Sequence, residues 1–367
     1  MKYRMPVVDS HYHIYDWFGV DGREFWDSTL DYCNARDFKT ININALPSVK
    51  RDVSNNIIAA LYKLRHPGIF AHGGLTYEAY PVPEVLPPEM DPLTQYKELM
   101  EIGFDGIKML EAKPTEIKAI GRLVCDKLYE PFFAAIERDG THMVWNSGDP
   151  DSFWDPAQTQ PWQIERGWFY GDGTYPTYEE IYAQVDAVLE KHPNLNVTFA
   201  HFFFLSGDPL RLERDYFAKY PNVNVDLTPG VEMYGSFGKD PAYFRDFFTR
   251  YADRIEYGTD CSNHRTIESN MDTCDPVYAF LTTDADMEHW SYRFKGLNLE
   301  EKVLEKILGG NFLRRVSETP KPINQEALKA YAAKYRHLIR DERVRALIDE
   351  EMAAIQEDAY EIRQKSN

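Results

Sequence analysis

Cysteine is sparse in this 367-residue chain, and the four present (Cys33, Cys125, Cys261 and Cys274) show no CxxC spacing. A chain this long needs no disulfide framework, so reduced thiols are expected. No run approaches the roughly 20 apolar residues of a membrane span. The opening MKYRMPVVDSH also lacks the apolar stretch of a signal peptide. A cytoplasmic protein is therefore expected. Positive charge is scarce too: 41 basic residues face 59 acidic ones, for a formal net charge of −18. Such a surface repels phosphate, which excludes a general nucleic-acid or membrane-surface role and leaves a small-molecule substrate as the expected partner. Low-complexity tracts are absent as well.

What is present is a rhythm. Short apolar, β-branched runs alternate with helix-like segments, the pattern of parallel βαβ units. The runs predict strands at Pro6–Asp9, Thr40–Leu46, Ile69–Thr76, Gly106–Leu110, Thr141–Asn146, Asn196–His201, Val223–Leu227 and Ile255–Asp260. Helices are predicted between them, at Ser54–Arg65, Pro92–Ile102 and Tyr178–Lys191, the last stopped by His192-Pro193. Eight strands with intervening helices predict an α/β fold, the (β/α)8 barrel, over residues 1–320. A doubly wound open sheet would want a Gly-rich phosphate loop after the first strand, and there is none.

Two segments break the rhythm. Ser147–Pro176 is long and rich in aromatic residues, Gly and Pro, and is expected to wall or cover a pocket. Residues 321–367 are charged, with Leu328, Tyr331, Tyr335, Leu338, Val344, Leu347, Met352 and Ile355 recurring near helical spacing. They predict a C-terminal helical extension packed on the barrel's outside. A homo-oligomeric contact is the sharper alternative.

The first strand runs into Asp9-Ser10-His11-Tyr12-His13. Residues two apart in an extended chain point the same way, so both imidazoles can reach one ion. Alone, such a pair is weak evidence. At the C-terminal end of a barrel strand it is stronger, because barrel active sites gather there. His201 and Asp260 end the sixth and eighth runs. Either residue alone could cap a helix or tie down a loop. Together, the four groups supply metal ligands and a general base.

The runs VVDSHYHIYD, NSGDPDSFW, FAH, YGTD and ILGGNFLRRV, in this order over roughly residues 5–316, resemble the amidohydrolase-related branch of the amidohydrolase superfamily. The resemblance implies a barrel with one or two divalent ions, zinc first, with manganese or iron as alternatives. Members hydrolyse C–O or C–N bonds or decarboxylate aromatic acids. It further implies that His11 and His13 are ligands, that Asp260 is a ligand and proton shuttle, and that His201 is a second-metal ligand or catalytic imidazole. One departure stands out. Asn146 occupies the fifth-strand position where the family carries a ligand histidine, and an amide oxygen suits harder ions than zinc. A fourth ligand from elsewhere, a harder ion, or loss of the metal would each accommodate it.

Glu111, ending the fourth run, is a candidate replacement ligand, and Lys108 on the same strand is a candidate substrate contact. An odd spacing allows only one of the two to face the pocket. Asn146, Trp145 and His264 are further candidates for substrate binding. His72 is expected to be a satisfied core histidine, His142 to lie toward the opposite barrel end, and Cys261 to serve packing. The expected function is metal-dependent hydrolysis of a small organic substrate through an activated water, with Asp260 as general base. Non-oxidative decarboxylation of an aromatic or unsaturated acid on the same site, and a catalytically inactive ligand-binding barrel, are the alternatives.

Overall fold

The computed structural model describes residues 3–15 and 25–356. Its strands are β1 (Val8–His13), β2 (Thr40–Asn44), β3 (Phe70–Gly74), β4 (Gly106–Ala112), β5 (His142–Ser147), β6 (Val197–Phe199), β7 (Val223–Asp226), β8 (Ile255–Glu256) and β9 (Cys261–Ser262). They form one parallel sheet in the order β8-β7-β6-β5-β4-β3-β2-β1-β9. β8 and β9 are two halves of one interrupted eighth strand: β8 pairs with β7, and β9 pairs with β1. The gap between them is bridged to β1, where Ser10 N–H donates to Tyr257 O (3.0 Å) and Asp260 N–H to His11 O (2.8 Å). The sheet thus closes into the barrel that the sequence rhythm predicts.

Helices appear at Ser54–Arg65, Pro92–Ile102 and Tyr178–Lys191, as expected from sequence. Their ends have local causes. Asp91 accepts from Thr94 N–H at the start of the second, and Gly103 closes it at φ 107°, where a side chain is disfavoured. Thr177 and Glu180 form a capping box on the third.

The strand boundaries differ from the sequence reading throughout, by a residue or two in most strands, and three of the differences shape the mouth of the barrel. β1 starts later than expected and contains both His11 and His13, with a register shift between Asp9 and Tyr12. β6 stops at Phe199 because His201, Phe202, Phe203 and Phe204 all take left-handed backbone angles, φ 53–57°. The eighth strand breaks before Asp260, whose own φ is 57°. Gly258 lies in that break, where a Cβ would come within 2.6 Å of Thr228 Oγ1 and 3.0 Å of His11 Cβ. Only glycine permits so close an approach to the strand that carries the two histidines.

The barrel interior is apolar at its base, where Val8, Phe70 and Phe312 cluster. Above them lies a polar layer. His72 Nδ1 sits 2.5 Å from Asn42 Oδ1, and its Nε2 is 3.0 Å from His142 Nδ1. His142 Nε2 lies 2.9 Å from Thr198 Oγ1, which is 3.0 Å from Glu256 Oε1. Gly106 makes room for this layer, since a Cβ there would stand 2.2 Å from the His72 ring. His72 is thus a core histidine with both nitrogens satisfied.

The chain beyond Pro320 packs on the barrel's outer helices. Helices Gln325–Tyr335 and Glu342–Gln356 lie against Ser54–Arg65, and the former also against Pro92–Ile102. Asn56 donates to Tyr331 Oη (3.0 Å), Tyr335 Oη to Glu98 (2.7 Å), and Arg65 pairs with Glu351. The buried Lys63–Asp105 pair is fastened to the extension by Lys321 N–H (2.8 Å). Residues 357–367, the end of the expected extension, lie outside the described residues. All four cysteines are free thiols. Among the described residues no helix is long and apolar enough to cross a membrane.

Burial pushes the Glu256 carboxyl up to about 7, against the pull of Arg315. His142 is pushed down to about 3, by burial and by Arg315, so it leaves Glu256 uncompensated from its own side. A carboxyl whose folded pKa lies above its unfolded value holds its proton more tightly when folded. Its contribution is complete below the unfolded value and declines as pH rises toward 7. Glu256→Gln should therefore reduce the loss of stability between about pH 4.5 and 7 by up to about 3 kcal/mol. Urea denaturation of both proteins across that range measures it, and an unchanged pH slope would refute it.

Candidate active site

β1 delivers two imidazoles to the C-terminal mouth of the barrel. His11 Nδ1 faces Asp226 Oδ2 at 2.7 Å, and His13 Nδ1 faces the carbonyl of Asn44 at 2.7 Å. A carbonyl only accepts, and so does an ionised carboxylate; burial raises the Asp226 carboxyl, but the hydrogen bond from His11 and the Lys108 charge help pull it below its ordinary value. Both Nδ1 atoms therefore carry the proton, which leaves a lone pair on each Nε2. Those two Nε2 atoms meet at 3.1 Å. Burial pushes the His11 ring down to about 3, with the Lys108 charge adding to it, and burial also lowers His13. Two facing lone pairs repel unless a cation stands by them.

Asp260 completes the group. Its left-handed backbone turns Oδ1 to within 3.0 Å of His13 Nε2, with 34% of its side chain open to the cavity. Burial raises its carboxyl, and only protonated imidazoles at His13, His11 and His201 would pull it well below the usual range. One ligand atom from each of His11, His13 and Asp260 lies within 4.8 Å of the others. This donor set fits a divalent ion: three ligands from two strand ends, each imidazole braced through its other nitrogen.

The structure brings three further sequence candidates to the same place. Lys108 projects inward from β4, and its Nζ is 2.9 Å from His11 Nε2. Burial pushes it down to about 8. Asn146 lines the cavity from β5, 9% exposed, with its Oδ1 buried and without a hydrogen-bond partner among the described residues. His201 follows β6. Its N–H donates to Asp226 Oδ1 (2.9 Å), its Nδ1 approaches Thr228 O (3.2 Å), and its ring lies 5.9 Å from that of His11.

Three others fall elsewhere. Glu111 lies past the start of an irregular stretch of β4, between Met109 and Ala112, and stands outside the His11–His13–Asp260 group. Its carboxyl accepts from Tyr77 Oη (3.3 Å) and Leu110 N–H (2.9 Å), and burial pushes it up to about 7. Trp145 points outward between Phe133 and Phe199, away from the cavity its neighbour lines. His264 lies past β9 on the surface, its ring edge against Tyr15 at 5.5 Å. Cys261 is buried, with Sγ directed at Asn270 O.

The cavity above the group has a volume of about 330 Å³. Tyr15, Phe153, Trp168 and Phe204 give it aromatic walls, two of them from the long loop after β5. Lys50, Arg51, Lys108 and Lys113 line it, against Glu116, Asp149 and Asp260. Lys113 pairs with Asp149, and Arg51 lies over the Tyr15 ring at 3.9 Å. Sequence reasoning missed these cations, Lys108 apart, and it missed Asp226. No strand-end signal marked Asp226, which lies inside the run Val223–Leu227.

Residues 65–314, more than half of the chain, match the amidohydrolase family model. The chain belongs to the amidohydrolase family. The matched span begins after β1, so His11 and His13 lie outside it while Asp260 lies within. No curated protein sequence matches this amidohydrolase. Among solved structures, it is similar to an uncharacterised TIM-barrel protein from Bordetella bronchiseptica, at 16% identity, 85% coverage of this chain, 98% of that one, and TM-score 0.52. A 2,6-dihydroxybenzoate decarboxylase in complex with 2,6-dihydroxybenzoate gives 15%, 86%, 99% and 0.52. The 5-carboxyvanillate decarboxylase of Sphingomonas paucimobilis gives 12%, 85%, 98% and 0.50. At such identities the likeness concerns the fold.

The orphaned amide oxygen of Asn146 supplies a test of the site. Asn146→His puts an imidazole where the amide stands, and imidazole is the better zinc ligand. Zinc affinity, measured by competition titration, should rise about tenfold or more, roughly 1.4 kcal/mol. Unchanged affinity would show that position 146 does not reach the ion.

Proposed function

We propose that this amidohydrolase holds one divalent ion, zinc first, between His11, His13 and Asp260, and hydrolyses a small anionic substrate with Asp260 as general base. The observation that carries this reading is the convergence of two imidazole lone pairs and one carboxylate in an open, walled cavity. An ion bound there supplies Lewis-acid chemistry, acidifying water or polarising a substrate oxygen.

The remaining steps belong to the chain's own side chains. Asp260, ionised and partly open to the cavity, accepts a proton from the attacking water and passes it to the leaving group. His201 is kept neutral by burial. Because its Nδ1 proton is directed at Thr228 O, its Nε2 offers a lone pair. It therefore orients a hydroxyl or a water by accepting, rather than polarising a carbonyl by donating. Lys108 at the floor and Lys50 and Arg51 toward the rim attract negative groups, while Phe153 and Trp168 exclude water and stack a planar portion.

The same cations and aromatic walls favour a second reading, decarboxylation of an aromatic or unsaturated acid, the kind of substrate named for two of the similar barrels. Incorporation of labelled water oxygen into product supports hydrolysis. Release of carbon dioxide without it supports decarboxylation.

Elemental analysis of protein purified without chelators should find one divalent ion per chain, removable by chelation and restored by zinc. No metal before or after reconstitution would end the reading. Asp260→Asn keeps a residue that tolerates the left-handed backbone and keeps an oxygen toward the ion, but removes the base. Turnover per folded, metal-loaded molecule should fall by roughly 10²–10⁴-fold. Near-wild-type turnover would rule Asp260 out as the base.

A further inference from the structure

One carboxylate sits behind the site and touches none of the cavity. Asp226, at the end of β7, is fully buried. Its Oδ2 faces Nδ1 of His11 at 2.7 Å, and its Oδ1 accepts from the N–H groups of His201 (2.9 Å) and Thr228 (3.1 Å). We propose that Asp226 is the positioning residue of this site: it fixes which nitrogen of His11 is free for an ion and, through its other oxygen, pins the left-handed turn that presents His201. The proposal rests on the reading of His11 as a metal ligand.

The His201 half of the argument is conformational. Four successive residues with Cβ atoms, His201 to Phe204, hold φ between 53° and 57°, a region disfavoured for each of them. Such a turn persists only where its surroundings over-determine it. Tyr182 Oη donates to Phe203 O (2.8 Å), and the Phe203 ring stacks on Phe199 at 3.9 Å. At the first residue of the turn, Asp226 supplies the acceptor. Without it, the His201 N–H would lose its partner.

The His11 half is a matter of counting donors. Three N–H groups converge on Asp226, and a carboxylate accepts all three. An amide offers one oxygen and one NH2. If the amide oxygen of an Asp226→Asn variant stays with the two backbone N–H groups, its NH2 faces His11 Nδ1, which must then be the lone-pair nitrogen. The ring takes its other tautomer, and Nε2 carries a proton toward His13 and Lys108. That nitrogen cannot bind a metal. The reverse orientation brings the NH2 against two N–H donors, so it is the worse of the two. The substitution barely changes volume, yet it converts His11 from a ligand into a non-ligand, as asparagine in place of an orienting aspartate does in catalytic triads.

The test uses the full chain, metal-free and then titrated with zinc. Long-range ¹⁵N–¹H imidazole correlation spectra should show His11 of the wild type protonated at Nδ1 and that of Asp226→Asn at Nε2. Zinc affinity should fall by roughly 100-fold in Asp226→Asn, the upper end for loss of an orienting partner, and by ~10–100-fold in Asp226→Ala. An unchanged tautomer with wild-type zinc affinity in Asp226→Asn overturns the proposal. So does a wild-type His11 already protonated at Nε2. If a variant fails to fold, the wild-type tautomer still decides, with Nδ1–H supporting the proposal. If the wild type takes up no zinc, the metal reading falls while the spectra still judge Asp226.

Discussion

Two imidazole lone pairs held 3.1 Å apart on one strand are the constraint to which the barrel's mouth is built. Neutral histidines left to themselves would rotate to put a proton between those nitrogens. Here neither can, because Asp226 and the Asn44 carbonyl claim the Nδ1 protons from opposite sides. The two-residue spacing along β1 points both rings the same way, and the interrupted eighth strand then brings Asp260 against them. A position so prepared calls for positive charge, and Lys108 Nζ brings one to within 2.9 Å of His11 Nε2. Holding like lone pairs together costs free energy, and a cation beside them offsets it.

Such arrangements need a rigid floor, and the polar layer beneath the site supplies one. The His72–His142–Thr198–Glu256 chain spans strands β3, β5, β6 and β8. Asn42 connects it upward by donating to Ser10 O (3.0 Å), on the strand that carries the two histidines. A fully apolar interior would hold the strands by volume alone. Directional bonds across the barrel also fix their register, at the cost of burying Glu256.

The parts legible in the sequence are those governed by local rules. One helix end followed from His192-Pro193, and the barrel from the alternation of apolar runs. Strand alternation separates Trp145 from Asn146, since adjacent strand residues cannot both line one cavity. The strand ends were not legible, because left-handed residues at His201–Phe204 and Asp260 are stabilised by tertiary partners that no local propensity reveals. Asp226 hid for a related reason. Its role depends on lying beside His11, 215 residues away, and only closure of the barrel creates that contact.

Charge shows the same division between composition and geometry. The whole chain carries −18, yet the cavity above His11 and His13 is lined by four cationic side chains against three carboxyls. At physiological salt, exposed charges more than about 8 Å away are largely screened. A small anion inside the cavity therefore responds to Lys108, Lys50 and Arg51 and hardly to the acidic exterior. The global balance argues against polyanions, which must meet the outer surface along their length. It carries no information about a molecule small enough to pass between the aromatic walls, and at that scale the placement of a few cations outweighs the sum over the whole surface.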